Sequence, residues 1–153
     1  MALVTVRNAN ELKAFAGQEI GVTAWLEITQ ERINQFADAT GDHQWIHIDR
    51  ARAAIESPYG TTIAHGFLTL ALVSQFIRET VDFSGLKMAI NYGLNRVRFP
   101  AAVRSGSNIH ARVALQAVKD LAEGVEAVYL ITVETEGSDK PNCVAEWVVR
   151  YYW

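Results

Sequence analysis

The sequence predicts an α+β fold in which an antiparallel sheet curls around one long apolar helix. Three observations lead there. The run from Ile63 to about Thr80 carries Ile63, Phe67, Leu68, Leu70, Leu72, Val73, Phe76 and Ile77. It is apolar nearly all round, as a buried helix is. Later stretches alternate apolar and polar residues with period two, which suits strands with one wet face. The chain has 153 residues, 50% of them apolar, enough for one sizeable core and one domain over residues 1–153.

The elements follow in order. A short helix is expected around Asn8 to Phe15, and a strand-like stretch from Gln18 to Ile28. Thr29 reads as an N-cap for a helix over Glu31 to Ala39, whose Ile33, Phe36 and Ala37 keep helical spacing. A polar segment follows and ends at Ser57-Pro58-Tyr59-Gly60, a turn signal. Thr61 or Thr62 can cap the long apolar helix. Met88 to Phe99 reads as a strand stopped by Pro100. In Ile109 to Ala117, apolar Ile109, Ala111, Val113, Leu115 and Ala117 alternate with His110, Arg112 and Gln116. Val125, Ala127, Tyr129, Ile131 and Val133 alternate with Glu126, Thr132 and Glu134. Cys143, Ala145, Trp147, Val149 and Tyr151 alternate with Glu146 and Arg150. Gly124 and Gly137-Ser138-Asp139 mark turns. A sheet of this kind has exposed edges, so pairing with a second copy is expected.

Composition excludes several classes. With one cysteine, Cys143, there is no disulfide framework. The opening MALVTVRNANELK lacks the basic-then-apolar layout of a signal peptide, and no apolar run is long enough to span a bilayer. A soluble, cytoplasmic protein is expected. The net charge of −3 argues against a general nucleic-acid binder. Charge is unevenly spread. Phe83 to Lys119 has no Asp or Glu but holds Lys87, Arg96, Arg98, Arg104, Arg112 and Lys119. Such a block suits a polyanionic small molecule, or it is simply a basic sheet edge.

The densest chemistry lies in "GDHQWIHID", Gly41 to Asp49. His43 and His47 are four apart, a spacing that can put two metal ligands on one helix face. A metalloprotease would carry a glutamate after the first histidine, where this chain has Gln44. A third ligand would have to come from elsewhere, with His65 the nearby candidate, so no metal is expected. Asp42 and His47 offer another chemistry. A carboxylate and an imidazole can hold one water between them, and the imidazole exchanges a proton near neutral pH. Apolar Trp45 and Ile46 could turn inward and lower the local dielectric. On spacing alone this stands level with a plainer reading, in which Asp42 and Asp49 cap turns and both histidines are solvated.

His65-Gly66 falls in the first turns of the apolar helix. Main-chain N–H groups there have no intrahelical partner and can donate to an oxygen gaining negative charge. Gly66 has no side chain to keep that oxygen away, although it also permits close packing. His65 reads as a packed core histidine. Ser74 lies about 180° from His65 on the helical wheel. It either bonds back to its own helix or orients a carboxylate.

"FADATGDHQWIHIDRARA" followed by "SPYGTTIAHGFLTLALVS" resembles the MaoC-like dehydratases, a family that includes the (R)-specific enoyl-CoA hydratases. "INYGLNRVRFP" is a further matching stretch, so the likeness covers most of the chain. The subgroup it is most similar to is the NodN-like proteins. The resemblance implies a hot dog fold, a homodimer, and a 2-enoyl-CoA substrate whose pantetheine arm enters between subunits. It implies no cofactor. By position, Asp42 and His47 match the catalytic pair. Gly66 matches the main-chain donor to the thioester carbonyl, and Ser74 a serine that helps position the aspartate. Trp45, Tyr59 and Phe67 join Gly66 and Ser74 as expected substrate contacts. Many members have Asn-Pro where this chain has Gln44-Trp45, which puts acyl-chain preference in doubt. Two other activities compete with hydration. One is thioester hydrolysis, which must aim water at C1 rather than C3. The other is acyl-CoA binding without catalysis.

Overall fold

The computed structural model describes residues 3–153. The chain opens with β1 (Val4–Val6), α1 (Ala9–Lys13), β2 (Gln18–Val22) and β3 (Leu26–Glu27). Three helices follow: α2 (Gln30–Thr40), α3 (Trp45–Ile48) and α4 (Arg50–Glu56). The apolar run forms α5 (Gly66–Ala71) and α6 (Val73–Thr80), and passes into β4 (Val81–Phe83). Four long strands complete the fold: β5 (Met88–Arg98), β6 (Asn108–Asp120), β7 (Val125–Thr135) and β8 (Cys143–Tyr152).

Six strands form one antiparallel sheet in the order β2–β6–β7–β8–β5, with β3 also on β6. The expected alternation is the sheet's inner face except at Ala117, which is exposed just past a register shift between Leu115 and Ala117. Ile109, Ala111, Val113, Leu115, Val125, Ala127, Tyr129, Ile131 and Val133 are all buried, as are Leu72, Val73, Phe76 and Ile77 of the helices packed against them. The Tyr129 and Tyr151 hydroxyls bond each other at 2.9 Å inside this layer. Cys143 sits fully buried at the start of β8, where burial pushes its thiol up to about 11. None of the described helices is long and apolar enough to cross a membrane.

Thr29 caps α2 as expected, its hydroxyl accepting from Arg32 N–H at 3.1 Å. Three expectations need correction. The apolar helix starts at Gly66, with His65 rather than Thr61 or Thr62 at the cap. The Thr62–Ala64 segment is extended because its main chain is already committed. Ile63 N–H donates to the Ile46 carbonyl at 3.0 Å and Ala64 N–H to the Val103 carbonyl at 2.8 Å. Second, the helix steps at Leu72, which keeps right-handed helical angles and splits it into α5 and α6. Third, it is not buried all round. Phe67 is 71% exposed, and Ala71, Gln75, Arg78 and Glu79 also face outward. Only one face of the helix meets the sheet of its own chain. The short parallel pair β1–β4 was not expected at all.

The outer strand β5 is exposed along most of its length, Met88, Ile90, Tyr92 and Leu94 included. Two irregularities of register interrupt its pairing with β8, at Asn91/Gly93 and Leu94/Arg96. Part of the basic block is neutralised on the sheet. Arg112 pairs with Glu19 and Glu134, and Lys119 with Glu126. Lys87, Arg96, Arg98 and Arg104 have no ion-pair partner among the described residues.

Candidate active site

The site is built where α2 ends and α5 begins. Gly41 ends α2 in the left-handed region (φ 77°), a conformation glycine adopts at little cost. The chain then turns and delivers Asp42. One Asp42 carboxylate oxygen accepts from Gln44 N–H at 3.3 Å, and the side chain remains 53% exposed. The short helix α3 carries His47, which is buried. His65 precedes α5 and is only 3% exposed.

Main-chain carbonyls fix both rings. His47 Nδ1 lies 2.7 Å from the Ile63 carbonyl, and His65 Nε2 lies 3.0 Å from the Asp42 carbonyl. A carbonyl only accepts, so both of these nitrogens donate. The neutral tautomers then leave a bare lone pair on His47 Nε2 and on His65 Nδ1. The two rings stack with centroids 3.8 Å apart and planes 23° from parallel. Phe36 also packs on His65, with ring centroids 4.9 Å apart. Asp42, His47 and His65 each bring a donor atom within 4.8 Å of the others. Gln30 braces this corner from the first turn of α2. Its amide N–H donates to the His47 carbonyl at 2.7 Å, and its carbonyl oxygen accepts from the Thr62 hydroxyl.

Burial is the main cause that lowers the pKa of His47, and the adjoining His65 adds to it. The Ile63 carbonyl and Asp42 act the other way, but the balance stays below the ordinary histidine range. His47 is thus a neutral acceptor at neutral pH. The other polar residues of the motif serve the surface. His43 bonds Asp38 at 2.9 Å in the open, and Asp49 caps α4 by accepting from Arg52 N–H at 3.0 Å. The plainer reading therefore holds for His43 and Asp49, but not for buried His47.

The three donor groups are also what a metal would need. The ring geometry opposes it. A metal lies in the plane of each imidazole, about 2.0–2.1 Å from its nitrogen. Two stacked rings with centroids 3.8 Å apart and planes 23° from parallel do not aim their nitrogens at one point within that reach.

The remaining predicted residues divide by place. Gly66 is the first residue of α5, and its N–H has no acceptor among the described residues. A Cβ there would meet the Phe99 ring at 3.3 Å, so Gly66 also serves close packing. Phe67 touches the Phe99 edge at 6.4 Å between centroids. Trp45 is half-buried beneath the Arg52 guanidinium, 4.2 Å from the ring centre. Tyr59 lines a polar cavity of about 720 Å³ with Arg104 and Lys140. Ser74 stands apart. It lines an apolar cavity of about 470 Å³ and a smaller one of about 180 Å³, both with Asn91 and Trp147. Among the described residues no hydrogen bond joins Ser74 to Asp42. Gln30 and the Ile63 carbonyl escaped the sequence reading, because a bracing amide and a main-chain acceptor leave no pattern in it.

The family described as the MaoC like domain matches residues 11–136. This chain belongs to the MaoC-like family. The MaoC-like chain is 55% identical over 148 residues to 3-hydroxyacyl-thioester dehydratase Z of Mycobacterium tuberculosis, covering 96% of this chain and 97% of that one. It is 46% identical over 146 residues to nodulation protein N of Rhizobium meliloti, covering 91% and 88%. An R-hydratase of Pseudomonas aeruginosa superposes with a TM-score of 0.72 at 23% identity, over 90% of this chain and 81% of that one. That likeness shows the hot dog fold, here the sheet wrapped round α5 and α6.

Proposed function

We propose that this chain is an (R)-specific 2-enoyl-CoA hydratase that also runs in reverse as a 3-hydroxyacyl-CoA dehydratase. The coarser statement is firm: the chain is a hydro-lyase, given its near full-length identity to a 3-hydroxyacyl-thioester dehydratase. The finer reading is carried by one observation. An exposed carboxylate and a buried imidazole with a bare Nε2 lie side by side, each able to accept from one water.

The chemistry follows from those acceptors. The Asp42 carboxylate and His47 Nε2 each take a hydrogen bond from the same water, which turns its lone pair toward C3 of the enoyl thioester. As the C3–O bond forms, one water proton passes to the pair and C2 receives a proton from it. Charge builds on the thioester oxygen in between. The free N–H of Gly66 is the donor for that oxygen, and losing such a donor typically costs roughly 10²–10³ in rate. Arg104, unpaired beside Tyr59, is a candidate for the phosphates of coenzyme A. On this reading Trp45, Tyr59 and Phe67 contact the substrate, and Ser74 contacts it from the apolar cavities that it lines. The reading includes a homodimer and a cytoplasmic setting.

The test is absorbance at the enoyl thioester band with crotonyl-CoA and a longer 2-enoyl-CoA, beside a free-thiol assay. Absorbance should fall without thiol release, and the product should be the (R)-3-hydroxyacyl thioester. Thiol release would make the protein a thioesterase. No reaction on either substrate would overturn the 2-enoyl-CoA reading and point to another acyl thioester as the substrate of the hydro-lyase.

A further inference from the structure

We propose that His65 is a positioning residue for the Asp42–His47 pair, holding the aspartate's main chain with one ring nitrogen and the histidine's ring with one face. This rests on the hydratase reading and adds a third residue to it.

Three observations on His65 go together. First, Nε2–H is spent on the carbonyl of Asp42 rather than on its carboxylate, whose nearer oxygen is 4.0 Å away. The bond therefore anchors the loop and leaves the carboxylate open to water. Second, the ring stacks on His47, whose rotation is already restricted by the hydrogen bond from its Nδ1 to the Ile63 carbonyl. Together these two contacts aim the His47 Nε2 lone pair. Third, His65 Nδ1 is buried with no partner, the sole such side-chain atom among the described residues. A buried polar atom without a partner destabilises the fold, and a leucine or phenylalanine would avoid that cost. A group kept only to fill space gives no reason to bear it. A group that must donate from Nε2 to one carbonyl has to bear it, because the second nitrogen comes with the first.

Position matters because the pair has to share one water. Misplacement by about 1 Å can cost 10²-fold in rate. Asp42 follows the Gly41 turn and is otherwise held by two long bonds, from Asp42 N–H to the Thr40 hydroxyl at 3.4 Å and from Gln44 N–H at 3.3 Å. His65 supplies the shorter tie, from a residue that is itself anchored by accepting Leu68 and Thr69 N–H at the head of α5.

Two variants and one spectrum test this. His65→Phe keeps a flat ring but removes the donor. His65→Gln keeps an N–H that can reach the Asp42 carbonyl. For crotonyl-CoA hydration, His65→Phe should lower kcat by about 10–100-fold with KM changed less than about threefold, and His65→Gln should recover much of the loss. In the parent protein, nitrogen NMR of the imidazoles should find His65 protonated on Nε2 and bare on Nδ1. Full kcat in a folded His65→Phe protein would overturn the proposal. So would a His65→Gln variant no better than His65→Phe, or the opposite tautomer in the parent. The tautomer is readable even if His65→Phe fails to fold. A parent that hydrates no enoyl thioester overturns the hydratase reading, and the positioning role of His65 with it. In that case the spectrum still reports separately on the Asp42–His65 bond.

Discussion

His47 and His43 are four residues apart and of the same type, yet only His47 is buried beside Asp42. Burial and a single main-chain acceptor make the difference. His47 is kept neutral with Nε2 bare, while His43 sits in solvent beside Asp38, which raises its pKa. Asp42→Asn and His47→Ala should each cut hydration by at least about 100-fold, with the circular dichroism spectrum and melting temperature close to the parent's. Normal turnover in either would refute the assignment. The pH dependence carries a sign. Protonated His47 cannot accept from water, so activity is lost as pH falls through its pKa. Because burial lowers that pKa, the acid limb of kcat/KM should lie below the ordinary value of about 6.5. A limb at or above that value would remove His47 from the reaction. The resemblance singled out Asp42 and His47, which spacing alone left level with a plainer reading, and the structure brings their side chains together. The placement of His65 against them was not legible in the sequence, because it depends on a contact across 23 residues to a main-chain oxygen.

At the scale of elements, period two proved the dependable signal. The inner faces of β6, β7 and β8 follow the predicted alternation through most of their length. Helix ends were read less well. Thr61 and Thr62 have the chemistry of an N-cap, but their neighbours' N–H groups were claimed by Ile46 and Val103 from elsewhere in the chain. The step at Leu72 and the three-residue strands β1 and β4 have no pattern long enough to read. Gly124, expected as a turn, has a further duty. A Cβ there would stand 2.2 Å from the Tyr151 carbonyl oxygen and 2.8 Å from the Tyr152 ring. Gly124→Ala should therefore lower stability by about 1–3 kcal/mol, visible as a lower melting temperature, with activity per folded molecule retained. An unchanged melting temperature would mean that the β6–β7 turn can yield.

For the whole molecule, the outward surface is as informative as the core. Met88, Ile90, Tyr92 and Leu94 on β5 are joined by Phe99 and Phe67, all at least 40% exposed. A sheet edge with this much apolar surface is an opening for another strand. We expect a homodimer that covers this edge, burying on the order of 800 Å² per partner. Sedimentation or light scattering should give twice the 17.0 kDa chain mass, and charged substitutions at Tyr92 and Leu94 should give the monomer. A parent that sediments as a monomer would refute it. We expect the same dimer to cover Phe67, which is widely exposed on a helix that reads as buried in the sequence. The lone thiol has a use of its own. Cys143 lies at the head of β8, bridged to Val133, fully buried and protonated far above neutral pH. It is inert while the strands are paired and reactive once they part. The rate at which an excess of thiol reagent labels it therefore clocks the opening of the β7–β8 seam, a native stopwatch for local unfolding that needs no engineered probe.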